Sequence, residues 1–479
     1  MNWKMLIDGQ WVDSESRETI PVYNPADHSL TGTTPRGQKE DVVKAAQAAG
    51  YAFRSPEWKA VKPHERGWIL NEMARKVREQ KDELAMLETL DVGKPLQQSY
   101  ADVEAAARYF EFYAGAADKI LGETIPIEPG LINFTVREPI GVTAHIIPWN
   151  YPLQIAARSC AAAIATGNTV VLKPAEDTPV TTLKLASYFE EIGLQKGVVN
   201  VVTGYGYEAG AALAGSEHIN HLTFTGSHQT GVAVMKAAAE NIVPVTLELG
   251  GKSPNIVFAD CNQEQAVDWV VRSIIQNAGQ TCSAGSRLLV EASTHDTFVQ
   301  HVKEKFEALT IGPGVNNPDL GPILTEKQFK RIHSFVQLAR EEASIETGGE
   351  RWMTDECADG FYLQPTLITS VKSDSRLAQE EIFGPVLTVF PFETEQEAIE
   401  LANGTEYGLV TGIWTNDLAK AHRLADQSQS GQVFVNNYGA GGGIQMPFGG
   451  YKRSGFGREK GLEALRNYTQ LKNVAIKYG

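Results

Sequence analysis

Between residues 41 and 120 apolar side chains recur at three- and four-residue intervals, which predicts helices over 41–54, 62–90 and 96–120. The stretch HERGWILNEMA, 64–74, mixes charged and apolar positions as a helix with one wet face does. Ahead of these, MLIDGQWV reads as a short strand and hairpin turn. At Gly141 the pattern changes. Strand-length apolar runs at 142–147, 169–172, 198–202, 221–225 and 243–247 alternate with helical or turn material, including helices over 153–165 and 181–191. From about Lys252 a second alternation begins, with strands at 255–258, 287–290 and 386–390 and helices at 297–309 and 395–401. Strand–helix alternation of this kind implies parallel sheets covered by helices, so two open α/β, Rossmann-like domains are expected. In such sheets ligands lie beyond the carboxyl ends of the strands. The tail TQLKNVAIK reads as extended, and an exposed terminal strand can add to a neighbour's sheet edge.

Composition changes this picture only by exclusion. A net charge of −15 disfavours binding to a phosphate backbone, so no nucleic-acid partner is expected. The start of the chain carries no apolar core of secretory type, and no run approaches the length of a membrane span. A soluble, cytoplasmic protein without a membrane partner is the expectation. Four scattered cysteines, Cys160, Cys261, Cys282 and Cys357, read as reduced thiols. No His or Cys cluster has metal-ligand spacing, so no metal is expected.

Six stretches could carry chemistry. In HIIPWNYP a strand stops at Pro148 and presents Trp149 and Asn150. Asn150 is either a neutral donor for an oxyanion or a turn residue capping its own backbone. In VVLKPAE, Lys173 and Glu176 stand three apart after a strand. They are either a ribose-binding pair, with the carboxylate repelling a 2′-phosphate, or a solvated ion pair. In FTGSHQTG, Gly226 and Ser227 open a helix whose amino end suits a pyrophosphate, although glycine after a strand is often only a turn. In LELGGKSP, Glu248 interrupts an apolar strand. It is either a general base with a raised pKa or a buried carboxylate bonded to main chain. In GQTCSAGSR, Cys282 has small neighbours that leave room for a substrate carbon and a nearby N–H, as a nucleophilic thiol requires. In EEIFGPV, Glu381 and Phe383 either bracket a ribose and a ring or simply precede a turn.

Together with the late PFGGYKRSGFGREKG, these stretches resemble, in order and over essentially the whole chain, the aldehyde dehydrogenase superfamily of NAD(P)-dependent hydrolytic type. The resemblance implies oxidation of an aldehyde to a carboxylic acid through a cysteine hemithioacetal and a thioester. It implies that Cys282 is the nucleophile, that Asn150 and the Cys282 N–H hold the oxyanion, and that Glu248 activates water. It assigns the adenosine ribose to Lys173 and Glu176, the pyrophosphate to Trp149, Gly226 and Ser227, and the nicotinamide ribose and ring to Glu381 and Phe383. NAD is expected in preference to NADP. Glu248 favours hydrolysis over transfer to coenzyme A, while His228 departs from the usual turn. The implied architecture is a cofactor domain from 1–120 and 140–250, a catalytic domain from 251–450, and a small β oligomerisation flap from 121–139 and 465–479. A homodimer or homotetramer follows by the same analogy. Residues 120–139 have the length and β-branched content of a hairpin.

Also by analogy, two stretches line the aldehyde's tunnel. Tyr151, Gln154, Ile155 and Arg158 share one helical face. Gly439 to Gly443 supplies five small residues, Gly441 at their centre, where many relatives are bulky or acidic. A bulky or aromatic aldehyde is therefore expected. Arg158 has two readings: a clamp for the distal carboxylate of a semialdehyde, or a partner for a neighbouring acid. The rival activities are a thiol hydrolase, which leaves KPAE and FTGS without a role, and a non-catalytic binding protein, which Cys282, Glu248 and Asn150 argue against.

Overall fold

The computed structural model describes residues 1–439 and 443–479; Gly441 and its neighbours Ala440 and Gly442 lie outside the described residues. The first of two large sheets orders its strands Gln10–Val12, Met5–Ile7, Val199–Val201, Thr169–Lys173, Val142–Ile146, His221–Thr225, Val245–Glu248 and Gly455–Phe456. The five middle strands run parallel. They are buried almost throughout, and Thr143, His145, Asn200, His221 and Thr223 are buried polar side chains among the apolar ones. From Val142–Ile146 the chain adds strands first on one side and then on the other. The order therefore reverses there, and the loops beyond its carboxyl end diverge into a crevice.

The second sheet runs Ser344–Thr347, Thr366–Thr369, Val386–Phe392, Arg287–Glu291, Pro254–Val257, Val410–Trp414 and Gln432–Val435. Only Ser344–Thr347 is antiparallel to its neighbour. Val245–Glu248 leaves the first sheet and feeds Pro254–Val257 of the second through Gly250 and Gly251. The carboxyl edge of one sheet thus connects directly to the amino edge of the other. Cys282 stands ahead of its strand Arg287–Glu291, not beyond one. The rule that functional groups follow strands holds for the first sheet and not for the second.

Beyond small shifts at element ends, departures from the sequence pattern include the following. The helix expected over 62–90 is two helices, Pro63–Glu79 and Lys81–Val92, because Gln80 leaves the helical region at φ −104, ψ 22. Periodicity cannot register a one-residue break. The local hairpin expected in 120–139 reduces to one bridge between Thr124 and Phe134. The main partner of Leu131–Pro139 is instead the tail strand Thr469–Lys477, antiparallel from Thr469 opposite Pro139 to Lys477 opposite Leu131. Finally, Gly455–Phe456 returns late in the chain to pair with Leu247 and Glu248. Two residues are too few to show a strand period. Among the described residues no helix is long and apolar enough to cross a membrane.

Candidate active site

Pro148 stops the Val142–Ile146 strand, and Pro152 opens the helix Pro152–Ala165 at its first turn, where a missing N–H costs nothing. Between them Asn150 is buried, at 5% exposure. Its Nδ2 donates to the Gln280 main-chain oxygen at 2.9 Å, two residues before Cys282. Its own main-chain oxygen accepts from Lys94 Nζ at 2.9 Å and from Asn277 Nδ2 at 3.1 Å. The side chain thus reaches the cysteine loop and does not cap its own turn.

That loop is held in an unusual backbone. Asn277, Ala278 and Gly279 have φ of 49°, 52° and 73° in succession. For the two residues with a Cβ this costs on the order of 1–3 kcal/mol each. Small residues here are partly a packing requirement. A Cβ on Gly279 would lie 2.2 Å from the Gly384 main chain, and one on Gly285 would lie 2.3 Å from Asn255 Nδ2. From the other side Gly251 packs so closely that its Cβ would meet the Cys282 carbonyl oxygen at 2.6 Å.

Cys282 is partly exposed, whereas Cys160, Cys261 and Cys357 are buried, and all four are free thiols. Burial of its sulfur, and next the Glu381 and Glu248 carboxylates, push the Cys282 thiol up to about 12. Glu248 ends its strand at 2% exposure, and neither carboxylate oxygen has a hydrogen-bond partner among the described residues. Burial, above all, holds its carboxyl well above the ordinary range; Glu459 adds to the effect and Arg158 opposes it. Among the described residues no main-chain hydrogen bond holds this carboxylate.

The residues expected around a dinucleotide gather along the carboxyl edge of the first sheet. Lys173 Nζ lies 3.0 Å from Glu176 Oε2. The Trp149 and Phe383 rings meet edge to face with centroids 5.2 Å apart, joining two motifs distant in sequence. Ser227 caps the helix His228–Ala239, its Oγ accepting from Thr230 N at 3.3 Å. Gly226 leaves no room for a side chain, since a Cβ would sit 2.5 Å from Phe224 Cζ. Glu381 accepts from Gly251 N at 3.0 Å, and burial pushes its carboxyl up to about 7. A Cβ on Gly250 would meet the same carboxylate at 2.2 Å.

The helical face expected to line a tunnel is already engaged within the protein. Tyr151 Oη bonds Thr281 Oγ1 at 2.8 Å, and Gln154 Nε2 donates to Asp102 Oδ1 at 3.0 Å. Arg158 Nε lies 3.0 Å from Glu459 Oε2, with both side chains buried. Of its two readings, the partner for a neighbouring acid describes this placement, and the free carboxylate clamp does not. Sequence reasoning missed Lys94, Glu88, Asp102, Asn277 and Glu459. Lys94 had a local signal, a Gly-Lys-Pro turn between two helices; Glu459 stood unremarked inside GREKG. An open cleft of about 290 Å³, lined by Gln47, Tyr51, Arg54 and His218, lies at the amino end of the Val142–Ile146 strand, opposite the edge that carries Asn150.

Two Rossmann-like sheets, a partly exposed cysteine ahead of the Arg287–Glu291 strand of the second and a buried glutamate ending the Val245–Glu248 strand of the first define a class. The model of the aldehyde dehydrogenase family matches residues 11–474, and the chain belongs to that family. Among similar curated proteins, betaine aldehyde dehydrogenase of Bacillus subtilis (strain 168) is 43% identical over 99% of this chain and 97% of its own length. Retinal dehydrogenase 2 of Homo sapiens is 42% identical over 99% and 92%. Among solved structures, a point mutant of betaine aldehyde dehydrogenase from Staphylococcus aureus in complex with NAD+ superposes with a TM-score of 0.97 at 41% identity, covering 99% of this chain and 97% of that one.

Proposed function

We propose that this enzyme oxidises an aldehyde to a carboxylic acid with NAD, through a covalent intermediate on Cys282. One observation carries the reading. The thiol of the partly exposed residue Cys282 sits within electrostatic reach of Glu248, whose two oxygens are buried without a hydrogen-bond partner among the described residues. An ionised carboxylate left in that state is costly, so the group holds its proton more tightly, and perturbed acids of this kind cluster where protons are transferred.

The residues fit a dinucleotide. A glycine that tolerates no Cβ precedes a helix amino end at Gly226, and a buried carboxylate is fixed by main chain at Glu381. Lys173 and Glu176 would hold the adenosine ribose, with the Glu176 carboxylate repelling a 2′-phosphate. Gly226, Ser227 and Trp149 would face the pyrophosphate, and Glu381 with Phe383 would hold the nicotinamide ribose and ring. When bound, NAD supplies the acceptor for the hydride that leaves the substrate carbon. NAD+ in the S. aureus relative supports this cofactor.

The chain's own chemistry follows. Cys282 would pass its proton to Glu248, which releases it to solvent, and the sulfur bonds the aldehyde carbon, so the carbonyl oxygen becomes an alkoxide. The second N–H of the Asn150 amide and the Cys282 main-chain N–H stabilise that charge. Loss of hydride from the tetrahedral carbon leaves a thioester. Glu248 then removes a proton from water, the new C–O bond forms, the C–S bond breaks and the acid departs. Gly439 and Gly443 flank the substrate loop and favour a bulky or aromatic aldehyde. The semialdehyde alternative loses support because Arg158 is already paired with Glu459. The Leu131–Pro139 and Thr469–Lys477 ribbon, with Ile132, Leu471 and Ile476 exposed, would join copies of the chain into a homodimer or homotetramer.

NADH formation from a panel of aldehydes, run with NAD and with NADP, tests the activity and the substrate. Cys282→Ala should abolish turnover, and Glu248→Gln should accumulate the thioester, detectable by mass. Dehydrogenase turnover retained by Cys282→Ala refutes the mechanism.

A further inference from the structure

Lys94 is fully buried, yet the mechanism above gives it no part. It sits in the Gly93-Lys94-Pro95 turn between the helices Lys81–Val92 and Leu96–Ala116. Gly93 has φ of 87°, and its Cβ would meet both Pro25 and Pro322 at 2.7 Å. The Lys94 carbonyl oxygen is packed so tightly by Gly314 that a Cβ there would approach within 2.3 Å. The turn is therefore wedged against the part of the chain that carries the second sheet. Gln280 Nε2 donates to the Pro322 oxygen at 3.3 Å, so the wedge and the cysteine loop rest on the same residue.

From this fixed turn the ammonium group meets three oxygens. It donates to Asn150 O at 2.9 Å, Glu88 Oε1 at 3.3 Å and Asp102 Oδ2 at 2.5 Å, and it lies 4.1 Å from the centroid of the Tyr151 ring. The carboxylates are themselves held. Thr181 Oγ1 donates to Glu88 Oε2 at 2.7 Å, and Gln154 Nε2 donates to Asp102 Oδ1 at 3.0 Å. A buried cation with all three protons engaged has one geometry. On the opposite side Asn277 donates to the same Asn150 oxygen, and Gln280 O takes one N–H of the Asn150 amide.

We propose that Lys94 is a positioning residue for the oxyanion donor: by clamping the Asn150 main-chain carbonyl against Asn277, it fixes the free amide N–H beside Cys282. Glu88 and Asp102 orient Lys94, and the left-handed backbone at Asn277 supplies the second jaw. The inference rests on the proposed role of Asn150. Donor placement matters because an oxyanion-stabilising bond acts only when aimed at the developing charge, and one such donor is worth about 10²–10³ in kcat.

A double-mutant cycle tests it in the full-length enzyme with NAD and a turned-over aldehyde. Lys94→Met should lower kcat by about 10- to 100-fold and leave the KM for NAD within twofold. In an Asn150→Ala background the same substitution should change kcat by less than twofold, because its target is gone. If Lys94→Met leaves the buried carboxylates too costly to fold, Lys94→Met with Asp102→Asn removes one charge of each sign and enters the cycle in its place. Losses that multiply across the two backgrounds overturn the proposal and make Lys94 merely structural. Full kcat in Asn150→Ala alone overturns the assigned role of Asn150, and this inference with it.

Discussion

Replacing Glu459 with glutamine should do two opposed things. Glu459 lies 3.0 Å from Arg158 Nε, and the two side chains are 1% and 4% exposed. At an effective dielectric constant near 20, charges at that separation attract by roughly 5 kcal/mol, most of it offset by the desolvation of both ions. Glu459→Gln keeps the shape and leaves a buried, unpaired guanidinium, so the expected loss of stability is about 3–5 kcal/mol. Equilibrium urea unfolding at matched protein concentration measures it. The same change acts on Glu248, whose carboxyl is raised first by burial and also by Glu459, against the pull of Arg158. Removing Glu459 takes away an upward push and frees Arg158 to pull downward. Glu248 then ionises at lower pH, and the acidic limb of the kcat profile should move about one unit to lower pH. Glu459→Leu with Arg158→Met removes both charges, so most of the stability should return. A stability loss under about 1 kcal/mol, or a limb that moves to higher pH, refutes this account of the pair.

Three further outcomes follow from the site and the tail ribbon. With its thiol pushed up to about 12, Cys282 in the NAD-free protein should react with iodoacetamide about tenfold faster per pH unit between 7 and 10, whereas a plateau below pH 9 contradicts the stated environment. NAD, whose positive ring would stand near the sulfur in the proposed binding mode, should accelerate the reaction at neutral pH, and mass spectrometry should find Cys160 and Cys357, both buried, unmodified. Gly250→Ala places a Cβ 2.2 Å from a Glu381 carboxylate oxygen, so the KM for NAD should rise about tenfold or more with little change in melting temperature; an unchanged KM removes Glu381 from the cofactor site. Deleting residues 469–479 strips Leu131–Pro139 of its nine-residue partner, and light scattering should show a smaller assembly than the full chain forms.

Much of this protein is written locally. Periodicity alone separates the helical first part from the two strand–helix alternations, because burial on two faces produces apolar runs and burial on one produces stripes. The placement of Asn150 and Glu248 at strand ends was legible for the same reason: a polar residue that closes an apolar run must stand at the sheet's edge. Cys282 was legible from its small neighbours, although packing against Gly384 and Asn255 accounts for two of those glycines as much as access does. Pairing was not legible. Neither Arg158 nor Glu459 says that it faces the other, Lys94 does not announce that it clamps Asn150, and Leu131–Pro139 gives no sign that its partner is the tail. The sequence by itself determined the alternation of the longer helices and strands and which residue types are candidates for catalysis, since those properties belong to short windows of chain. Only the tertiary structure decided which buried charges neutralise one another and which groups turn towards the thiol, because that choice is made by packing between residues far apart in the chain.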